Sequence, residues 1–271
     1  MTYTQLVQQI RAKGSFLCVG LDSDMEQLPT SLRHSATPLF DFNKAIIDAT
    51  APYTVAYKPN LAFYEALGSS GWAQLAQTLQ YIRTQYPEMF IIADAKRGDI
   101  GNTAQRYAQA FFENMDADAV TLAPYMGMDA IDPFLAYPNK WAIVLALTSN
   151  PSAEEFEIQA LSDGELLYER VIRQACARAG KEQLMFVAGA TRPQMLGRIR
   201  ELAPEHFLLV PGVGAQGGSL AEVAKYGLNA NVGLLVNVSR GIIYADKSAA
   251  FAEVAAKKAE EYALEMKSLL L

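Results

Sequence analysis

Eight short runs of apolar and β-branched residues recur along this chain, near residues 16–21, 55–57, 90–93, 119–122, 142–147, 184–188, 207–210 and 234–238. Stretches with the spacing of amphipathic helices lie between them, among them 39–49, 72–84, 104–113, 165–179 and 220–226, and another at 249–264 follows the last run. A continuous apolar run suits a strand covered on both faces, and strand-then-helix repeated eight times predicts parallel strands closed into a (β/α)8 TIM barrel. The competing architecture, a doubly wound open sheet, needs a topological switch point and usually fewer strands. With 271 residues, 51% of them hydrophobic, the chain suffices for one barrel over 1–271, and no Ser/Gly/Pro linker divides it.

In such barrels the active site is assembled from loops at the C-terminal ends of the strands. Polar residues collect there: Asp22 after the first run, Lys58 after the second, Asp94, Lys96 and Asp99 after the third, Thr148 and Ser149 after the fifth, Gln216 after the seventh and Arg240 after the eighth. The densest group is Asp94-Ala95-Lys96-Arg97-Gly98-Asp99-Ile100. In an extended chain alternate side chains share a face, which points Asp94 and Lys96 the same way and leaves Asp99 in the loop beyond. An ammonium between two carboxylates stays protonated. Each residue taken singly also reads as a solvated strand end or a surface ion pair. Their convergence on one mouth favours chemistry.

Gly212-Val213-Gly214-Ala215-Gln216-Gly217 spells G-x-G-x-x-G, the dinucleotide fingerprint. That fingerprint requires an acidic residue some way downstream for the ribose, whereas the next apolar run here ends in Asn237-Val238-Ser239-Arg240. An arginine suits a phosphate. Barrel phosphate sites typically follow strands 7 and 8, and a helix starting near Ser219 offers its positive end, so the loop reads as a phosphate cradle, with a plain glycine-rich turn as the alternative.

A net charge of −6 argues against a nucleic-acid binder but leaves room for one anionic ligand in a local positive pocket. Arg33, Arg106 and Arg200 read as ordinary surface charge. Cys18 in a strand and Cys176 on a helix provide neither a disulfide framework nor a cysteine metal site, and His34 and His206 have no ligand-spaced partners, so no metal is expected. The N-terminus has no signal-peptide core and the apolar stretch 141–147 is too short to cross a bilayer, which predicts a soluble, cytoplasmic protein. Arg97-Gly98-Asp99 and Asn237-Val238-Ser239 spell an adhesion tripeptide and a glycosylation sequon, neither of which a cytoplasmic barrel uses. Residues 148–166, with Pro151 and several glutamates, read equally as a lid or as a surface insertion.

Several segments together resemble the orotidine 5'-phosphate decarboxylase family, in its longer bacterial form. They run from Gly20-Leu21-Asp22 through Tyr57-Lys58-Pro59, Asp94-Ala95-Lys96-Arg97-Gly98-Asp99-Ile100-Gly101-Asn102-Thr103 and Pro211-Gly212-Val213-Gly214-Ala215-Gln216-Gly217-Gly218 to Arg240-Gly241-Ile242-Ile243-Tyr244. The D-x-K-x-x-D-I-x-x-T block is the specific part; other phosphate-binding barrels share the glycine loop. The resemblance implies conversion of orotidine 5'-phosphate to UMP in a homodimer whose active site spans both subunits, with no cofactor. It makes Lys96 the proton donor to C6, flanked by Asp94 and the partner's Asp99. Lys58 would bond Asp94 and the ribose, Asp22 the ribose hydroxyls, and the partner's Thr103 the sugar. Ser149 would meet the pyrimidine edge and Gln216 would link phosphate to base. Pro211 opens the glycine loop, whose amides, with Arg240 and the backbone of Ser239 and Gly241, would hold the phosphate. Two alternatives stay open: a related sugar-phosphate barrel using Mg2+ or a lysine imine, and a catalytically silent nucleotide-binding barrel.

Overall fold

The runs become β1 (Leu17–Gly20), β2 (Ala56–Lys58), β3 (Phe90–Arg97), β4 (Ala119–Leu122), β5 (Trp141–Leu147), β6 (Leu184–Ala188), β7 (Phe207–Pro211) and β8 (Leu234–Val238). Each pairs in parallel with the next, and β8 returns to β1 through Leu17↔Val236 and Cys18↔Asn237, so the barrel is closed. The computed structural model describes residues 1–214 and 217–270. Among these no helix is long and apolar enough to cross a membrane.

The N-terminal end of the barrel is filled. Phe90, Trp141 and Phe207 are fully buried and meet edge to face, with ring centroids 5.9 and 6.3 Å apart. Tyr3 covers them from the helix Tyr3–Lys13, stacked 6.2 Å from Trp141 and edge-on 5.4 Å from Phe207. That helix adds to those expected, and its signal was readable as a capping box: the Thr2 hydroxyl accepts from the Gln5 amide at 3.3 Å while the Thr2 amide donates to Gln5 Oε1 at 2.8 Å. The aromatic plug leaves the C-terminal end as the open one.

The expected helices form with shifted ends. The 104–113 stretch is a helix over Gly101–Gln109 that widens into a π turn at Ala110–Asn114; the 165–179 stretch is Leu167–Cys176; the last is longer than expected, Phe251–Leu269. Arg200 is not surface charge. It lies on the helix Pro193–Leu202 and donates to the carbonyls of Gly227 (2.8 Å), Ala203 (2.9 Å), His206 (2.6 Å) and Gly233 (2.8 Å), tying together the segments that lead into β7 and β8. Burial lowers its pKa to about 10.

Candidate active site

Asp94 is the hub of the open end. Its carboxylate is almost fully buried and accepts from Lys58 Nζ at 2.7 Å on one oxygen, and from Lys96 Nζ at 2.7 Å and the Thr121 hydroxyl at 2.9 Å on the other. Burial pushes the Asp94 carboxyl up, but the Lys58 and Lys96 charges outweigh it and hold the group well below the usual carboxylate range. Burial likewise opposes the charge on Lys58, yet Asp94 and then Asp22 raise its pKa overall. The neighbouring Cys18 thiol is pushed up to about 12 by burial and is no nucleophile. The two lysines differ in access: the Lys58 side chain is 6% exposed, that of Lys96 50%. Lys96 therefore presents much the more open ammonium to the cavity, while Lys58 borders it from a buried position.

The pairing of Asp94 with Lys96 is not simple strand alternation. Both lie within β3, which runs on to Arg97, and the register with β4 slips there: Ala93 faces Val120 but Arg97 faces Leu122. The extra residues bulge, and Lys96 takes φ 47°, a left-handed conformation uncommon for a non-glycine residue and characteristic of strained functional positions. Thr121 holds the bulge from within, because its hydroxyl oxygen accepts the Lys96 amide at 2.9 Å while its proton goes to Asp94. From outside, Arg97 donates to the Ala95 carbonyl at 3.0 Å, pairs with Glu65 and lies over the Tyr107 ring.

Above this array a cavity of about 330 Å³ opens, and Asp22, Lys58, Asp94, Lys96, Ser149, Pro211, Ser239 and Arg240 all line it. Apolar side chains of β5 to β7, Leu145, Val187 and Leu209, form part of its wall. At its β7–β8 side Gly212 and Gly214 turn through φ of 99° and 74°, conformations that glycine alone adopts readily. The helix Leu220–Gly227 follows, with Ser219 as its N-cap, as expected from the sequence. Beside it the short helix Arg240–Ile243 begins; Arg240 is exposed, with no side-chain hydrogen bond or ion pair to the described residues. The close approach of β1 to this segment requires Gly20, where a Cβ would lie 2.7 Å from that of Ser239. A cavity with a buried cation array at one end, an uncommitted arginine at the other and an apolar wall between suits a flat polar ring carrying a remote anion.

The match to known proteins agrees. The model of the "Orotidine 5'-phosphate decarboxylase / HUMPS family" covers residues 15–255. The chain belongs to that family. A protein of Parabacteroides distasonis named orotidine 5'-phosphate decarboxylase is 56% identical over 270 residues, covering 100% of this chain and 96% of its own. Its namesake in Phocaeicola vulgatus is 54% identical over 270 residues, covering 100% and 99%. The structure of Leishmania donovani OMP decarboxylase superposes with a TM-score of 0.83 at 35% identity, over 99% of this chain and 98% of that one.

Within this family member the expected site residues divide. Lys58 and Pro211 are the last residues of β2 and β7 rather than loop residues, and both face the cavity. Gly241 follows Arg240 in the short helix without lining the cavity. Asp99 and Thr103 do not line it either: the Asp99 carboxylate accepts the Ile100 amide at 2.8 Å, and Thr103 is exposed on the next helix. Gln216 lies outside the described residues. The insertion at 148–166 is tied down through Glu157, which accepts from the Thr148 amide at 2.7 Å and its hydroxyl at 2.8 Å, and through Glu154, paired with Arg192 at 2.8 Å. Sequence reasoning passed over Thr121 and Asn237, both buried and both lining the cavity. The signal for each was a single polar residue inside an apolar strand.

Proposed function

We propose that the chain decarboxylates orotidine 5'-phosphate to UMP, the last step of de novo UMP synthesis, with Lys96 as proton donor and no cofactor. The observation that carries the reading is the half-exposed Lys96 ammonium held against buried Asp94 on the cavity wall. Loss of CO2 from C6 leaves an electron pair in an sp2 orbital that no adjacent carbonyl delocalises. A fixed cation is the remaining means of stabilising it, and preorganised charge costs no reorganisation during the reaction. Lys96 supplies that cation and then transfers its Nζ proton to C6, giving UMP; the amine regains a proton from water. Asp94, beside the departing carboxylate, repels it in the ground state and is relieved as neutral CO2 forms.

Two unit charges 4 Å apart interact by about 4 kcal/mol at an effective dielectric of 20, whereas slow reactions call for up to roughly 23 kcal/mol. Binding energy from the remote phosphate therefore contributes much of the rest by ordering the site. Arg240, the amides of the glycine loop and those of Ser239 and Gly241 hold the phosphate; Pro211 borders it; Gln216 links it to the base; Ser149 meets the pyrimidine edge; Asp22 and Lys58 take the ribose hydroxyls.

The site is completed by a second copy of the chain, which brings the partner's Asp99 to Lys96 and the partner's Thr103 to the sugar. Supporting this, the loops after β3 and β4 expose Ile100 (47%), Tyr125 (87%) and Met126 (51%) beside the mouth, an apolar face suited to burial in a dimer. The test is absorbance of orotidine 5'-phosphate with and without EDTA, with UMP identified chromatographically. Equal depletion in both is expected; no depletion overturns the reading, and loss only with EDTA overturns its metal-free form.

A further inference from the structure

The turn after β1 presents an anomaly: several bonds anchor it to the surrounding elements, while the carboxylate it carries into the cavity has a buried oxygen without a partner among the described residues. The Leu21 carbonyl accepts from the Tyr64 hydroxyl at 2.9 Å, the Ser23 hydroxyl donates to Asn43, and the Asp22 carbonyl accepts from the Tyr244 hydroxyl at 2.9 Å. The Asp24 amide donates back to that same tyrosine oxygen at 2.6 Å. Asp22 Oδ1 is buried with no hydrogen-bond partner among the described residues. A buried oxygen left unpaired costs about 1–3 kcal/mol, so a turn held this firmly around it is arranged for a ligand rather than for stability.

Tyr244 belongs to the other end of the site. It closes the short helix that Arg240 opens, its amide donating to the Arg240 carbonyl at 3.2 Å. Its ring stacks on Phe42 with centroids 5.7 Å apart and planes at 17°, which fixes where the hydroxyl stands. Burial pushes that phenol's pKa up, so it remains a donor at neutral pH. One helical turn thus separates the arginine proposed to meet the anion from the hydroxyl that bridges the Asp22 carbonyl and the Asp24 amide.

We propose that Tyr244 is a positioning residue that sets the Asp22 carboxylate for the ribose and couples its placement to the phosphate-holding end of β8. The inference rests on the function proposed above and names a residue that reading leaves idle. Tyr244→Phe removes the hydroxyl and keeps the stacked ring. Its kcat/KM for orotidine 5'-phosphate should fall about tenfold, and UMP should bind correspondingly more weakly by calorimetry. In an Asp22→Ala background the same change should cost less than about twofold in either measurement, because the group being positioned is gone. Any loss of thermal stability should be equal in both backgrounds, which separates positioning from a structural role. Calorimetry completes the cycle even if Asp22→Ala turns over too slowly to follow. Costs that multiply unchanged across the two backgrounds, or a Tyr244→Phe enzyme with wild-type affinity, overturn the inference. A wild-type protein that neither binds UMP nor consumes orotidine 5'-phosphate overturns instead the function on which it rests.

Discussion

At the scale of single residues, one carboxylate organises two ammoniums, and their unequal exposure divides the work between them. In the proposed mechanism Lys96→Ala removes both the stabilising charge and the proton donor, so turnover should fall by at least about four orders of magnitude with the fold retained by circular dichroism. A variant keeping a tenth of the activity would rule out the mechanism. Asp94→Asn leaves the Lys58 ammonium buried without its counter-charge, a change that costs about 3 kcal/mol in comparable buried pairs. The half-exposed Lys96 pair is screened and adds little to that figure. The pH dependence follows from the directions of the shifts. Because the folded pKa of Asp94 is depressed, its contribution is present above the ordinary carboxylate value of about 4 and fades as pH falls through the lower folded value. Because that of Lys58 is raised, its contribution is present below about 10 and is lost only as pH rises through the higher folded value. Urea unfolding should therefore show a constant gap between wild type and Asp94→Asn from about pH 5 to 9 that narrows below about pH 4. A gap unchanged at lower pH would show that the ion pair is not its source.

At the scale of elements, the β3 bulge aims the cation and the β7–β8 loops shape the opposite end. If Arg240 holds the phosphate as proposed, Arg240→Ala removes a contact to the phosphate alone, so KM for orotidine 5'-phosphate should rise by about a hundredfold while the slow reaction of orotidine hardly changes. Equal losses on both substrates would make Arg240 structural. Gly20→Ala tests the packing of the same region, since the new Cβ would sit 2.7 Å from that of Ser239 and displace the start of the short helix from β1. The expected result is about 1–3 kcal/mol of destabilisation with a rise in KM larger than the fall in kcat. An unchanged KM would mean that Ser239 moves without disturbing the anion site.

At the scale of the whole molecule, the barrel offers one open end, because Tyr3 and the layer of Phe90, Trp141 and Phe207 fill the other. Asp99 and Thr103 stand outside the cavity of their own chain, and subunit exchange tests the proposed shared site. Lys96→Ala and Asp99→Ala homodimers should each be nearly inactive. Mixed and exchanged, half the dimers become hybrids in which one site carries both lesions and the other neither, so roughly a quarter of wild-type activity should return. With exchange verified by mass spectrometry, a flat activity would place Asp99 in its own subunit's chemistry.

The eightfold alternation of strand and helix was enough to specify the architecture. Strands covered on both faces are largely apolar, so the eight runs stand out locally, and polar residues that close six of them mark the open end without reference to any contact. Lys58, Asp94 and Lys96 were legible on those terms. What holds them comes from contacts between segments distant in the chain. The left-handed turn at Lys96 arises from a register slip between β3 and β4, and the Thr121 hydroxyl that bridges Lys96 to Asp94 belongs to the neighbouring strand. Arg200 looked like surface charge because two of the carbonyls it serves, those of Gly227 and Gly233, are far from it in the chain and reach it only through packing. Periodicity records how each segment meets solvent and core, whereas cross-strand register and the partners of buried polar atoms exist only once the segments are packed.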